Sequence, residues 1–279
     1  MGEIILKMQG IQKYFPGVHA LDDAQLEIRS GEVMGLIGEN GAGKSTLMKI
    51  LTGIYPKDGG TIEYFGEQIE INGPKDAQNK GICIVHQELN LMQHLTVADN
   101  IFIGRESTKG IFLDKAEQNR RTQELLDSLH LTIDPKAEVR TLSVAKQQMV
   151  EIAKALSYND TKILILDEPS AVLTDTEIDD LFTFVNQLKE TGVGIIYISH
   201  RMDEITRISD RVTVMRDGQY VGTVNTADVT RDDIVKMMVG RVIMGEQKEA
   251  STVSADAPVV LEVKHLNAGK EVKDVSFQL

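Results

Sequence analysis

The nine residues Gly38-Glu39-Asn40-Gly41-Ala42-Gly43-Lys44-Ser45-Thr46 constrain this chain more than any other stretch. They fit G-x-x-x-x-G-K-[ST] and stand directly between the apolar run EVMGLIG (32–38) and the helical pattern STLMKILTG. Gly38, Gly41 and Gly43 let the backbone wrap closely, so successive N–H groups converge on phosphate oxygens. Lys44 adds a fixed cation for the β- and γ-phosphates. The Ser45 hydroxyl suits Mg²⁺, and the dipole of the following helix favours an anion.

Around this loop, short apolar runs alternate with helical patterns. EVMGLIG, GICIVH (81–86), KILILDE (162–168) and VGIIYISH (193–200) are apolar on both faces, as expected of a central parallel sheet covered by helices. Amphipathic helices are predicted near 44–53, 114–130, 143–157, 175–190 and 230–239. The alternation implies an α/β layer fold. Strands near 4–8, 24–28, 60–64, 211–218 and 219–224 alternate more, with a tight Asp217-Gly218 turn, and predict a separate antiparallel patch. The stretch 89–156 interrupts the strand rhythm and reads as an inserted helical lobe. In its last helix Val150, Ile152, Ala153 and Leu156 form the apolar stripe, with Gln147, Glu151 and Lys154 toward water.

Strand ends supply the remaining chemistry. Asp167 ends ILILD, where a carboxylate can hold Mg²⁺ through a water. Glu168 follows it and can polarise an attacking water as general base. His200, at the end of GIIYISH, is placed to touch a γ-phosphate. Gln87, just past ICIVH, can bond the metal's water or the attacking water, whereas His86 reads as structural. Tyr14 and Phe15 offer an adenine a flat stacking surface, or equally belong to the core.

The net charge is −12, from 30 basic and 42 acidic side chains, which speaks against a main role in gripping nucleic acid. A single cysteine, Cys83, excludes an intramolecular disulfide and fits a reducing compartment. No segment approaches the roughly 20 apolar residues of a membrane span, and MGEIILKMQG lacks a signal-peptide pattern. The chain reads as cytosolic, serving a membrane only as a peripheral partner.

Residues 245–258, GEQKEASTVSADAP, have almost no large apolar side chain and read as a linker. Beyond it VVLEVKHL (259–266) echoes IILKMQGI (4–11), and VKDVSFQL (272–279) echoes LDDAQLEI (21–28). The repeat implies a complete domain over 1–244 followed, at 259–279, by the opening strands of a truncated second copy.

These motifs, in this order, resemble the ATP-binding domain of ABC transporters: Walker A at 38–46, the Q-loop Gln87, a signature at 142–146, Walker B at 163–168 and the switch His200. The resemblance covers residues 3 to about 241. FPGVHALDD, GENGAGKSTLMKILTGIYPKDGG, VHQELNLM, QQMVEIAKALSYN and YISHRMDEI are similar to the ATPase subunits of bacterial monosaccharide importers of the ribose, galactose and xylose type. The resemblance implies a P-loop NTPase core with a mostly parallel sheet, an antiparallel β subdomain and an inserted helical subdomain. It implies ATP and Mg²⁺ as ligands and a peripheral position on the cytoplasmic face of the inner membrane. The implied partners are transmembrane permease subunits, a second ATPase domain of the same chain and, indirectly, a periplasmic-type sugar-binding protein, with no nucleic acid. It suggests Phe15 as the adenine-stacking aromatic, with Tyr14 the alternative. It also makes Gln87 and ELNLMQHLTVADN a groove for a short helix of the membrane subunits.

In that family each ATP lies between one domain's Walker A and the other domain's LSGGQ signature. Here the five positions read Leu142, Ser143, Val144, Ala145, Lys146. Ser143 and the helix start survive, and Ala145 still carries a backbone N–H. The bulkier, β-branched Val144 stands where close approach needs glycine, and Lys146 substitutes charge for the usual amide. Thr174 stands where the family's D-loop has aspartate, with Asp175 adjacent. This signature would face the loop of the second domain, so its departures leave the site on Lys44, Asp167 and Glu168 untouched. A soluble tandem protein acting on ribosomes or nucleic acid would share every phosphate-site residue, but the acidic balance and short linker favour the importer.

Overall fold

The computed structural model describes residues 2–158, 160–240, 258–269 and 272–278. The chain divides into two units, Met1–Arg241 and Val242–Leu279. The first begins with a long hairpin, β1 (Ile4–Phe15) and β2 (Val18–Arg29), then β3 (Val33–Ile37), α1 (Lys44–Leu51), β4 (Gly59–Tyr64), β5 (Glu67–Ile69), α2 (Pro74–Asn79) and β6 (Ile82–Val85). There follow α3 (Val97–Ile101), β7 (Thr108–Lys109), β8 (Phe112–Leu113), α4 (Lys115–Ser128) and α5 (Val144–Leu156). Then come β9 (Ile163–Asp167), α6 (Asp175–Glu190), β10 (Gly194–Ile198), α7 (Met202–Ile208), β11 (Arg211–Arg216), β12 (Gln219–Asn225) and α8 (Arg231–Val239). The second unit contains β13 (Glu262–Ala268) and β14 (Val272–Gln278).

The four runs that are apolar on both faces form four adjacent strands, β3-β10-β9-β6, of one six-stranded sheet ordered β12-β11-β3-β10-β9-β6. Every neighbouring pair in it is parallel except β11–β12. Side-chain alternation splits its core in two. Val33, Leu164, Leu166, Ile195 and Tyr197 pack with α5 and α6, whereas Met34, Leu36, Ile163, Ile165, Ile196 and Ile198 pack with α1 and the β1–β2 hairpin. A separate four-stranded antiparallel sheet, β2-β1-β4-β5, closes that second face.

The hairpin at 211–224 departs from expectation. It belongs to the central sheet rather than the antiparallel patch, because Val212 and Val214 of β11 pair in parallel with Gly35 and Ile37 of β3. Its alternating pattern reflects a position near the sheet edge, where β12 is half-exposed. Between β6 and β9 the described residues form three α-helices and a short 3₁₀ helix, Val139–Thr141. Thr96 caps α3 by accepting from Asp99 N at 3.1 Å, and Ser143 caps α5. The β7–β8 hairpin in this segment gave no periodic signal. Glu151, expected toward water, is buried on α5, and burial raises its carboxyl above the ordinary range.

In the second unit, β13 and β14 pair Glu262 with Gln278, Val263 with Phe277, Leu266 with Val275 and Ala268 with Val272. Under the sequence echo these become Lys7–Glu27, Met8–Leu26, Ile11–Ala24 and Lys13–Leu21, four pairs that β1–β2 makes. The backbone irregularities also correspond: Asp23 and Asp274 have φ of 56° and 53°, and Gly10 and His265 have 62° and 50°. The linker expected at 245–258 lies, apart from Pro258, outside the described residues. Among the described residues no helix is long and apolar enough to cross a membrane.

Candidate active site

The loop between β3 and α1 needs its glycines for different reasons. Gly41 and Gly43 have φ of 84° and 92°, where a side chain is strained. A Cβ at Gly38 would fall 2.3 Å from the Met215 carbonyl oxygen of β11. Ala42 N donates to Glu39 O at 3.0 Å and closes the turn. No side chain caps α1, so the N–H groups of its first turn remain for an anion. The Lys44 ammonium folds back over the loop, donating to Gly38 O at 2.7 Å and Glu39 O at 3.1 Å. Burial pulls Lys44 below its ordinary range, against the opposing pull of Glu168 and Asp167.

Above this loop is a cavity of about 450 Å³ lined by residues 40–46 together with Asp167 and Glu168 from the end of β9. It sits at the carboxyl ends of β3 and β9, where open α/β sheets receive ligands. Burial, and then Glu168, raise the Asp167 carboxyl above its ordinary range, while His86, Lys44 and Lys49 oppose. Glu168 has φ of 49°, a conformation costing about 1–3 kcal/mol in a non-glycine residue. Its Oε1 lies 3.2 Å from His200 Nδ1.

The remaining expected site residues are less convergent. His200 and Gln87 each follow the last residue of a strand, β10 and β6, by two positions, but neither is among the described residues lining the cavity. Tyr14 is exposed and stacks on His19, with ring centroids 4.2 Å apart and planes at 12°. Phe15 is half-buried and packs edge-on against Tyr55 at 5.3 Å. The wall nearest them is made by Val18, His19 and Ala20, residues that the sequence did not single out. Asp217 and Gly218, beside Ala20, also line the cavity. Their turn was legible in the sequence, but its approach to β2 was not. There Asp22 N donates to Gly218 O at 2.9 Å, and a Cβ at Gly218 would lie 2.7 Å from Ala20 O.

The signature stretch lies apart from this cavity. Ser143 Oγ accepts from Lys146 N at 3.3 Å, Val144 and Lys146 are exposed, and Ala145 is buried. The Ala145 amide is among the groups that hold the Glu177 carboxyl down, after the stronger hydrogen bonds from Thr174. An anionic side chain therefore already faces this helix start. Thr174 and Glu177 form a capping box at α6, and Asp175 is 98% exposed.

A phosphate loop after β3, an acidic pair ending β9 and a helical insertion between β6 and β9 define a P-loop nucleotide-binding cassette. The ABC transporter family profile matches residues 21–171, over half of the chain. The chain is 53% identical over 277 residues to a Burkholderia ambifaria protein with the provisional name ribose/galactose/methyl galactoside import ATP-binding protein 3. It is 51% identical over 277 residues to an Albidiferax ferrireducens protein of the same provisional name without the number. Each match takes in 99% of this chain and 54% of the relative, so the chain spans about half the length of these proteins. Among solved structures, an ATP-binding cassette of an ABC transporter in its ADP conformation superposes with a TM-score of 0.75 at 29% identity, covering 86% of this chain and all of the other. The cbiO1 component of a Clostridium perfringens ABC transporter complex gives 0.72 at 27%, covering 85% and 95%. The chain belongs to the ABC transporter family.

Its site is one for ATP with Mg²⁺, and the residues present fit both. The uncapped α1 start and Lys44 suit a polyphosphate. Among the described residues no cluster of three or more His, Cys, Asp or Glu could hold a metal by itself. That suits Mg²⁺, which keeps several waters and arrives with substrate phosphates, needing one or two protein ligands. Ser45 and Asp167 are the residues available to hold it.

Proposed function

We propose that this chain binds and hydrolyses ATP to energise import of a monosaccharide through a membrane ABC transporter. The observation that carries the reading is the cavity on which the 41–45 backbone, Lys44, Asp167 and Glu168 converge. In this reading the loop amides and Lys44 hold the triphosphate, and Ser45 and Asp167 hold Mg²⁺, which when bound would offset charge on the phosphate oxygens. Glu168 accepts the proton of the attacking water. His200, beside it, contacts the γ-phosphate, and Gln87 orients water at the rim. Phe15 or Tyr14 stacks on the adenine. The sugar assignment draws on the names of relatives that this chain matches over half their length.

The partners follow from the same reading. The β13–β14 hairpin is proposed to open a second ATPase domain whose signature completes the 38–46 site, while Ser143, Val144, Ala145 and Lys146 face that domain's own loop. The shared register supports this, as does burial. Leu266, Val275 and Phe277 are exposed, whereas their counterparts Ile11, Ala24 and Leu26 are buried in the first unit. Transmembrane permease subunits dock at the segment after Gln87, on the cytoplasmic face of the inner membrane, and a periplasmic-type binding protein delivers the sugar.

Titration with Mg-ATP tests the core of the proposal. Lys44→Ala should weaken binding at least tenfold, and Glu168→Gln should bind normally but abolish turnover in the complete protein. This chain alone should bind Mg-ATP and hydrolyse it slowly. Unchanged affinity in Lys44→Ala, or brisk turnover by monomeric chain, would refute it.

A further inference from the structure

We infer that Glu204 is a positioning residue for hydrolysis: its buried carboxylate locks the turn carrying Glu168 to the loop carrying His200, and so holds those two side chains together. The inference rests on the roles proposed above for Glu168 and His200.

Glu204 lies in the first turn of α7 and is 3% exposed. On an amphipathic pattern it would be read as a solvated surface acid. Instead its Oε2 accepts three hydroxyls: Ser170 Oγ at 2.5 Å, Tyr197 OH at 3.0 Å and Ser199 Oγ at 3.0 Å. Its Oε1 pairs with the Arg201 guanidinium at 2.9 Å. Ser199 Oγ in turn accepts from Arg201 N at 3.0 Å. The residues on both sides of His200 are thus tied to one carboxylate. Burial, reinforced by the Glu204 charge, pushes the Tyr197 phenol well up, so it stays a donor.

Ser170 is the other half of the device. It follows Glu168 by two residues and is 2% exposed. The turn between them closes through Ala171 N to Glu168 O at 3.2 Å, and Glu168 N donates to Ile198 O at 2.9 Å. Glu168 keeps its left-handed backbone only while its surroundings over-determine that turn. The Ser170–Glu204 bond is the side-chain anchor two residues away. His200 itself is largely exposed, so its approach to Glu168 depends on where the flanking backbone is held. The carboxylate holds three hydroxyls on Oε2, while among the described residues Oε1 accepts no hydrogen bond and meets Arg201 as an ion pair. A neutral amide oxygen has two lone pairs and no charge. Arg201 also lies 3.6 Å from Asp175, the first residue of α6, so the same hub reaches the exposed end of the loop that follows Ser170.

The test compares three variants within the complete, hydrolysing protein, with Mg-ATP as the probe. Ser170→Ala and Glu204→Gln should each lower kcat at least tenfold while KM and directly measured Mg-ATP affinity stay within about twofold. Tyr197→Phe removes a hydroxyl from the same carboxylate but touches neither loop. It should lower the melting temperature and leave kcat within about twofold. The inference is overturned if Ser170→Ala keeps parental kcat, if Tyr197→Phe loses as much turnover as Ser170→Ala, or if KM rises in step with the loss. Ser170→Ala decides the matter should Glu204→Gln fail to fold. Glu168→Gln and His200→Ala run alongside. If they too retain turnover, the site reading has failed. If they abolish it while the Ser170 and Glu204 variants do not, only the present inference has.

Discussion

Alanine placed at each of three loop glycines should separate the fold's need for them from the ligand's. At Gly41 an added Cβ meets nothing within 4 Å, so the protein loses only the left-handed backbone preference, about 1–2 kcal/mol. The methyl group would, however, enter the phosphate cavity that Gly41 lines. At Gly38 the Cβ falls 2.3 Å from Met215 O and 2.9 Å from Ala42 Cβ. Met215 belongs to β11, which is held beside β3 through the Val214–Ile37 pairing. The oxygen cannot rotate away as a side chain can, so overpacking should reach the upper end of the usual range, about 3 kcal/mol. Gly43 combines both costs: the Leu21 Cδ2 it would strike at 2.6 Å ends a side chain, and the Ala20 carbonyl oxygen stands at 3.0 Å. Urea unfolding without nucleotide should rank the losses Gly41→Ala smallest and Gly38→Ala and Gly43→Ala larger, while Mg-ATP titration should find binding weakened in all three. Equal stability loss in Gly41→Ala and Gly38→Ala would refute the reasoning, because neighbouring backbone would then not be what excludes a side chain at Gly38.

Asp167→Asn should stabilise the nucleotide-free chain, by about 2–4 °C per kcal/mol recovered, and remove the stabilisation by Mg-ATP; unaltered melting in both states would count against it. The sign follows from the raised folded-state carboxyl: the native protein holds a proton that the unfolded chain releases, so nucleotide-free stability falls as pH rises from the ordinary value of 3.8 through the higher folded one. Glu151 obeys the same sign, with burial as the cause and one oxygen lacking a hydrogen-bond partner. Glu151→Gln should therefore flatten the fall in stability above pH 4.5, and an unchanged slope would exclude the cause. Asn100 accepts from Met92 N at 2.7 Å and donates to Met92 O and Thr96 O at 3.0 Å. Asn100→Ala should cost about 2–3 kcal/mol and speed amide exchange over 90–96; parental protection there would argue that the loop is held by other contacts.

Local chemistry was enough to write the phosphate loop, the acidic pair at 167–168 and the four apolar strands into the sequence. A glycine pattern, a strand-end carboxylate and a run apolar on both faces are each decided within a few neighbouring residues. The internal echo was legible for the same reason, since β1–β2 and β13–β14 carry matching patterns and make matching cross-strand pairs. Partner choice was not local. The alternating pattern of β11 and β12 says only that one face is wetter, and it was β3 that drew the hairpin into the central sheet. The cavity walls at 18–20 and 217–218 arise because that pairing brings two distant turns together, which no short window contains.

Glu204 marks the limit most clearly. The sequence by itself showed only an acid four residues after the switch histidine, with no helix predicted there. Only tertiary packing decided that this acid is buried, because Ser170, from a loop 34 residues away, supplies one of the donors that make a buried charge tolerable.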